Sequence, residues 1–372
     1  MIRLKGIKFP TLVFALVTIL LILKAWGYAT VTGEAFDIAV FYQAWYSILH
    51  GHVLGNTVTT GIPYLAEHFV PLVIPTAPLA LLPPNEALGA WWGLTIALLL
   101  TAAILLARSM YVPSEDIAAL LLSSVPLLLI VPQEFLLWSV FAPIGYMLLT
   151  RGYRKSGIAF MVLGILSMEY LPEYLVFVLD LAHSLNEYLT KRARRIPWLA
   201  IAMVFVVIAE AAYFIWIRHI TGLANIVYKG HTFANPLSTI VPQHNPPFVI
   251  GLKVLSVIGT APLIPAIVVG GLTTWVGTAF LILPFIPAAA FFATPFIYYL
   301  YPFYVTSLLI VLIEKPWKYR RLMFYAGLAF LVTLLYIGIS ATSWFTGHGA
   351  SYIPPPSPYG AIIIALNQLH LS

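Results

Sequence analysis

The sequence predicts an all-α fold, a polytopic bundle in which about eleven helices cross a membrane. Of the 372 residues, 61% are hydrophobic and only 9% are charged, whereas an ordinary soluble domain carries about 25% charged residues. A chain of this composition cannot cover itself with polar surface, so lipid is the expected solvent. Its apolar runs approach the roughly 20 residues that a helix needs to cross a bilayer. The predicted spans are residues 9–29, 86–107, 116–131, 135–150, 156–171, 174–190, 197–217, 252–271, 273–292, 296–313 and 322–342.

The first span follows a short basic segment that contains Arg3, Lys5 and Lys8. Its apolar run is long for a signal peptide and lacks a clear small-residue cleavage site, so we expect an uncleaved helix. Loops rich in Lys and Arg stay in the cytoplasm. Basic residues recur at Arg108, Arg151, Arg154 and Lys155, and in the clusters 191–195 and 315–321. A cytoplasmic N-terminus places all of them inside, which predicts a multi-pass cell-membrane protein with an extracytoplasmic working face.

This orientation requires that the segment His68–Pro83 does not cross the membrane. The segment contains four prolines, and each proline removes a backbone donor and breaks a helix. We therefore expect a re-entrant or broken segment that lines a cavity rather than a helix that faces lipid.

Residues 1–343 are predicted to form a single transmembrane domain with outer loops at about 30–85 and 221–251, and residues 344–372 an outer, interfacial tail. The chain has no cysteine, which excludes disulfides, zinc–thiolate sites and thiol nucleophiles. It has no P-loop, His-Glu-x-x-His or dinucleotide fingerprint, so ATP or nucleotide-sugar chemistry is not expected. The net charge of +6 comes from short clusters between apolar runs, so we expect no nucleic-acid partner.

The first outer loop opens with an amphipathic helix that ends at Gly51. Its polar face carries Gln43, Ser47 and His50. Its opposite face is apolar and aromatic, with Ile38, Phe41, Trp45 and Ile48. Such a helix suits the membrane interface. It serves either as a plain anchor for the loop or as part of a site.

Two acids, Glu34 and Asp37, stand three residues apart at the start of this helix. Acids are common at helix starts because the N-terminal end of the helix is positive. The alternative is a carboxylate held at the water–lipid boundary to act on a lipid-borne substrate. Further along the loop, Glu67 and His68 lead into the broken segment.

The run Phe36–Trp45, then Gly51, then His68-Phe69-Val70-Pro71 resembles the signature of a family of prokaryotic, largely archaeal membrane proteins of unknown function. That family is in turn similar to the GT-C class of membrane glycosyltransferases. Met168-Glu169-Tyr170 stands where the family tends to have Lys-Glu-Asp, and Tyr298–Pro302 resembles its late aromatic-proline element. The resemblance covers roughly residues 10–315. In this chain Met168 and Tyr170 replace the Lys and Asp that flank the glutamate in the family.

The resemblance implies that the donor is a polyprenyl-phosphate-linked sugar. The lipid chain of such a donor lies among the membrane lipids. It also implies an acidic residue in the first outer loop that acts as general base or holds a divalent metal. Asp37 occupies the matching place. The expected reaction is therefore transfer of a sugar, with inversion, to an acceptor on the outer face. The sequence favours no particular sugar, acceptor or oligomeric state.

The predicted topology adds further candidates on the outer side. The outer acids are Glu34, Asp37, Glu67, Glu86, Glu134, Glu169 and Glu173, and Glu210 lies in the outer half of a span. We take Asp37, Glu34 and Glu169 as catalytic candidates, because a carboxylate can accept the proton of the attacking hydroxyl.

A leaving phosphate needs cations, and the candidates near the outer end of one span are Arg218, Lys229 and His231. Ordinary anchoring at the membrane interface is the alternative for each of them. Glu67, His68 and Gln43 are candidates for support of the loop site. Mg²⁺ or Mn²⁺ is an open alternative, since oxygen and imidazole ligands are available, but no spacing is diagnostic.

Two other classes of function compete with the enzyme. A secondary transporter or lipid flippase would show internal repeats with matched broken helices, and the segment 68–83 has no obvious partner. A non-catalytic membrane scaffold would leave Asp37 freely replaceable.

Overall fold

The computed structural model describes residues 36–55, 63–122, 134–191, 196–221, 227–228, 231–232, 263–283 and 300–328. These residues are mostly helical, consistent with the expected all-α class, apart from a pair of two-residue antiparallel strands, β1 Val227–Tyr228 and β2 His231–Thr232. Among them, two helices are long and apolar enough to cross a membrane, Glu86–Met110 and Trp198–Ile220. This weakly supports a membrane location. The count of about eleven spans stays a prediction, and the first predicted span lies outside the described residues.

The chain divides into two compact units. Unit 1 comprises residues 1–64, 71–137 and 323–372, and unit 2 comprises 65–70 and 138–322. The expectation of a single transmembrane domain over 1–343 stays a prediction, and the tail 344–372 lies outside the described residues.

Unit 1 contains the amphipathic helix of the first outer loop. Helix α1 spans Phe36–Leu49 and is followed by Gly51 with a φ of +84°, so the predicted helix and its glycine end are confirmed. On the apolar face, Phe41 and Trp45 are buried within the protein, and His50 on the polar face is exposed. Tyr42, which belongs to neither predicted face, is buried too. Its hydroxyl donates to the carbonyl of Leu82 at 2.8 Å.

The proline-rich segment is broken into short turns, as predicted. The four-residue helix α2, Tyr64–Glu67, precedes the segment. Within the segment, α3 spans Val73–Thr76 and a 3₁₀ turn spans Ala77–Leu81. Within unit 1, Trp45 on α1 donates from its indole N–H to the Thr76 hydroxyl at 2.8 Å, which ties α1 to these turns. Re-entry of the segment into a membrane stays a prediction.

Unit 1 also contains α4, Pro84–Met110, and α5, Ser114–Leu122. Trp91 on α4 packs edge-on against Phe41 and Trp45, with ring centroids 5.7 and 5.8 Å apart. These aromatic contacts form the core of the unit between α1 and α4.

Unit 2 is a helical bundle. Its helices are α6 Phe141–Thr150, α7 Arg154–Ile165, α8 Leu171–Lys191, α9 Trp198–Ile220, α10 Ile264–Val269, α11 Leu272–Ile282 and α12 Leu300–Glu314. Helices α6 and α7 pack backbone against backbone through glycines. A Cβ on Gly164 would lie 2.6 Å from the Cβ of Ala142, and one on Gly145 would lie 2.6 Å from the carbonyl oxygen of Gly157.

One predicted span differs from the structure in a way that matters for the site. The predicted span 156–171 is one continuous helix, whereas in the structure α7 ends at Ile165 and α8 begins at Leu171. Pro172 explains the break, since a proline fits the first turn of a helix but not its interior. The residues between the two helices form a tight turn that contains Glu169.

Candidate functional site

The turn between α7 and α8 presents a carboxylate to a histidine. The Nδ1 atom of His68 lies 3.0 Å from Oε1 of Glu169. The side chains are 40% and 19% exposed respectively, so the pair is open to solvent on the histidine side. A carboxylate that accepts from Nδ1–H fixes the orientation of the ring and favours its protonated form.

Local hydrogen bonds shape this turn. The Ser167 hydroxyl donates to the carbonyl of Gly164 at 2.6 Å, which closes the end of α7. The N–H of Leu171 donates to the carbonyl of Glu169 at 2.6 Å, so Tyr170 is the centre of a three-residue turn. Tyr170 has a φ of +59°, which is unusual for a residue with a Cβ.

Two further carboxyls of unit 2 lie at the turn. Glu210 on α9 accepts the N–H of Tyr170 at 3.0 Å through Oε2. Glu173, on the first turn of α8, interacts with the side chain of Glu210. Both are buried, with exposures of 2% for Glu210 and 0% for Glu173. If both groups are charged carboxylates, no described residue donates a hydrogen bond to either oxygen of Glu173 or to Oε1 of Glu210.

The two carboxyls at the ends of the turn have opposite electrostatic environments. Both lie outside Glu86–Met110 and Trp198–Ile220, the two described helices that are long and apolar enough to cross a membrane. Burial alone would raise the pKa of Glu169. The hydrogen bond and charge of His68, together with the backbone hydrogen bonds of Glu169 and Phe69, outweigh burial and hold the pKa below its usual range. Burial, together with the nearby charge of Glu210, raises the pKa of Glu173 to about 9. Glu169 is therefore ionised at neutral pH, and Glu173 carries a proton.

Aromatic side chains hold the segment 65–70 on α9. The Tyr213 hydroxyl donates to the carbonyl of Leu65 at 2.8 Å. The ring of Phe69 packs edge-on against Tyr213 with centroids 5.1 Å apart. Because His68 stands between Leu65 and Phe69 in the chain, these contacts fix the backbone that carries its imidazole.

The side chain of Arg218, on α9, lies near the turn that carries Glu169. The guanidinium of Arg218 lies 5.2 Å from the centre of the Phe214 ring, within the range of a cation–π contact. Phe214 in turn lies 6.0 Å from the ring of Tyr170. Arg218 is thus connected to the turn through two aromatic rings.

The structure brings together two of the residues that the sequence selects, His68 and Glu169, and places Arg218 on the same unit. Gln43 lies on α1 in unit 1 and is half-buried. Glu34 and Lys229 lie outside the described residues. The side chains of Asp37, Glu67 and His231 also lie outside them, although their backbones belong to α1, α2 and β2. Their roles stay predictions.

Sequence reasoning missed the way in which Glu210 and Glu173 support the turn. Their signal is present in the sequence, since a carboxyl in an apolar helix is costly and marks a functional or paired position. The left-handed conformation of Tyr170 has no sequence signal, because glycine and asparagine are the residues that commonly adopt it.

A metal site needs several oxygen or imidazole ligands that converge on one point. In the part of the chain that the structure describes, no group of three or more His, Asp or Glu side chains lies close enough together to hold a metal ion. Mg²⁺ or Mn²⁺ therefore stays an open alternative, and the side chains of Asp37 and Glu67 lie outside the described residues.

A second buried polar cluster in unit 2 joins three helices. The Tyr146 hydroxyl on α6 donates to Asp180 on α8 at 2.8 Å and lies 2.9 Å from Nδ1 of His183. The other oxygen of Asp180 accepts the N–H of Ala200 at 2.9 Å. Because Ala200 stands in the first turn of α9, this carboxylate satisfies a helix-start donor, which indicates a structural role.

No family model, no curated protein and no solved structure matches this chain.

Proposed function

We propose that the chain is a membrane glycosyltransferase of the GT-C type. It transfers a sugar from a polyprenyl-phosphate-linked donor to an acceptor hydroxyl on the outer face, with inversion. The observation that supports this most directly is the His68–Glu169 pair at 3.0 Å, because it sets an exposed imidazole beside a carboxylate on a face that also carries Arg218.

The chemistry has two requirements. The acceptor hydroxyl loses its proton as its oxygen bonds to the anomeric carbon, and the bond from that carbon to the phosphate oxygen breaks with its electron pair. A carboxylate takes the proton, and in this proposal that base is Asp37, as the family resemblance implies. The departing phosphate gains negative charge, which cations must stabilise.

His68 and Arg218 are suited to the second requirement. Glu169 stabilises the imidazolium form of His68, and Nε2 of that ring then carries an N–H that can donate to a phosphate oxygen. A guanidinium binds phosphate through paired donors. Glu169 therefore acts here as the partner that orients and charges His68, which is a different role from the general base expected of it.

The first prediction concerns this pair. We expect His68→Gln and Glu169→Gln each to lower the turnover of a polyprenyl-phosphate sugar at least ~10-fold, about 1.4 kcal/mol of transition-state stabilisation. Residues that act as one unit give losses that do not add. The double variant should therefore be no slower than the slower single variant. The measurement is single-turnover kinetics of purified protein.

Glu86→Gln is the matched control, because Glu86 is an exposed outer carboxylate on α4. It should leave turnover unchanged. Two single variants at the wild-type rate, or losses that add fully in the double variant, would contradict the paired role.

A secondary transporter is the second candidate, and one observation favours it. Glu173, Asp180 and Glu210 are carboxyls at most 2% exposed on two helices of unit 2, and buried acids of this kind occur in ion pathways. A transporter or flippase would move its lipid-linked substrate across reconstituted vesicles without cleaving the sugar–phosphate bond. Transport with an intact donor would therefore replace the enzyme proposal.

A further inference from the structure

The turn that carries Glu169 has an unfavourable backbone conformation. Among the residues described, only Tyr111 and Tyr170 combine a side chain with a positive φ. Tyr111 follows the last residue of α4, where a left-handed residue commonly ends a helix. Tyr170 instead lies between two helices, next to the carboxylate that faces His68. A left-handed non-glycine residue costs about 1–3 kcal/mol and persists only where its surroundings enforce it.

Glu210 supplies a contact that enforces this conformation. Its Oε2 accepts the N–H of Tyr170 at 3.0 Å. Glu210 lies on α9, forty residues away in the chain, and is 2% exposed. A charge-assisted bond from a buried carboxylate to a backbone N–H is about twice as strong as a neutral one. The contact is of the right strength to offset the cost at Tyr170.

We propose that Glu210 is a positioning residue for Glu169: by accepting the N–H of Tyr170 it holds the turn in which Glu169 faces His68. Glu210 contacts the backbone beside Glu169, and it acts on the histidine through that carboxylate. The role of Glu169 in sugar transfer rests on the proposed function. The positioning of Glu169 by Glu210 does not depend on that function.

Glu173 supports Glu210 in this role. The two buried carboxyls interact, and two adjacent carboxyls in a dry environment cannot both be charged. A proton carried by Glu173 can be shared with Oε1 of Glu210, which leaves Oε2 for the N–H of Tyr170. The other charged groups around the turn are Glu169 and His68 themselves, together with Arg218 on α9.

The test measures the pKa of His68, which reports the distance and alignment of Glu169 without any assay of activity. The full-length protein is labelled with ¹⁵N-histidine, and His68→Gln identifies the signal among the nine histidines. The decrease of the His68 pKa in Glu169→Gln is the reference for the other variants, since loss of an opposite charge at hydrogen-bond distance lowers a histidine pKa by ~1 unit or more.

If Glu210 positions Glu169, Glu210→Ala lowers the pKa of His68 by at least half of the shift seen in Glu169→Gln. Glu210→Gln keeps an acceptor oxygen for Tyr170 and an amide donor for Glu173, so it should retain the wild-type value. Adding Tyr170→Gly to Glu210→Ala should restore the pKa, because glycine adopts a positive φ without cost.

Glu314 provides the matched control. Its carboxylate also accepts backbone N–H groups within unit 2, from Gly271 at 2.8 Å and Thr274 at 3.1 Å. Glu314→Ala should therefore destabilise the protein and leave the pKa of His68 unchanged. If Glu210→Ala fails to fold, Glu210→Ser replaces it, since its short hydroxyl cannot reach the turn.

A His68 pKa that stays at the wild-type value in the folded Glu210→Ala or Glu210→Ser variant would overturn the inference. An equal decrease of the His68 pKa in Glu210→Ala and Glu314→Ala would overturn the inference as well, since it would indicate a general structural effect. Absence of donor turnover in the wild-type chain would reject the proposed function instead, and the titration would still decide the role of Glu210.

Discussion

Glu173 illustrates how burial alone changes the chemistry of a residue in this protein. The side chain is fully buried on the first turn of α8, and it meets another carboxyl rather than a cation. A buried carboxylate without a cation is costly, so the neutral acid is the stable form. Four residues earlier, Glu169 has His68 as a partner and remains charged. Two glutamates on one turn thus have opposite protonation at neutral pH because their neighbours differ.

The second prediction follows from the raised pKa of Glu173. The folded-state pKa is about 9, against an ordinary value of 4.5. The folded state therefore holds a proton that the unfolded state releases, and stability falls as pH rises between about 5 and 9. Glu173→Gln, which mimics the neutral acid, should reduce this dependence and raise the unfolding temperature at pH 9.

Thermal unfolding of the purified protein at several pH values measures the effect, with the exposed Glu86→Gln as control. A wild-type unfolding temperature that rises steadily from pH 5 to pH 9, or a Glu173→Gln variant with an unchanged pH profile, would contradict it.

Close packing at the scale of helices depends on glycines between α6 and α7. Gly145, Gly157 and Gly164 allow the two backbones to approach so closely that a Cβ at each of these positions would overlap the neighbouring helix. Small residues at such contacts are typical of helix pairs in membranes. The short connection from Thr150 to Arg154 also favours an antiparallel pair.

The third prediction is that Gly164→Ala destabilises the protein by about 1–3 kcal/mol, because the added methyl group forces the two helices apart. Gly93→Ala on α4 is the matched control. Nothing lies within 4 Å of a Cβ at that position, and alanine is preferred to glycine in a helix by about 0.5–1 kcal/mol. Unfolding in detergent should therefore show a lower free energy of unfolding for Gly164→Ala and a higher one for Gly93→Ala. Destabilisation by Gly93→Ala, or none by Gly164→Ala, would argue against this packing.

Several elements were predictable from local sequence. Helix α1 followed from the spacing of its aromatic residues and from Gly51, and the broken segment followed from its prolines. The predicted end of α7 lies six residues too late, because the apolar run continues past Ile165 into the turn. Hydropathy does not distinguish a helix from an apolar turn, and the turn is set by Pro172 and by a carboxylate forty residues away.

The candidate site was predictable in part. His68 and Glu169 were both selected from their positions in the outer segments, but their contact joins residues 101 positions apart, and no local pattern encodes it. Glu210 was visible as an acid in an apolar helix, whereas its bond to the N–H of Tyr170 required the fold.

At the scale of the whole molecule, the distribution of charge predicts which side of the membrane each loop occupies. The basic clusters are expected in the cytoplasm, and the first outer loop is expected on the opposite side. Because the chain has no cysteine, single introduced cysteines report accessibility without background.

The fourth prediction uses two exposed positions, His52 in the first outer loop and Lys155 at the start of α7. In intact cells a membrane-impermeant maleimide should label His52→Cys, and it should label Lys155→Cys only after permeabilisation. The cysteine-free parent chain is the control for background labelling. Labelling of both positions, or of Lys155→Cys alone, in intact cells would contradict the predicted orientation.

The measurement that tests the glycosyltransferase proposal most directly is release of sugar from a polyprenyl-phosphate-linked donor by the purified chain, with the wild type compared with Asp37→Asn. General-base catalysis contributes a factor of ~10²–10⁴, so the account predicts donor turnover that falls by that factor in the folded variant. Turnover that Asp37→Asn leaves unchanged would contradict the assignment of the base. Absence of turnover of any such donor by the wild-type chain, with or without Mg²⁺ or Mn²⁺, would contradict the proposed function itself.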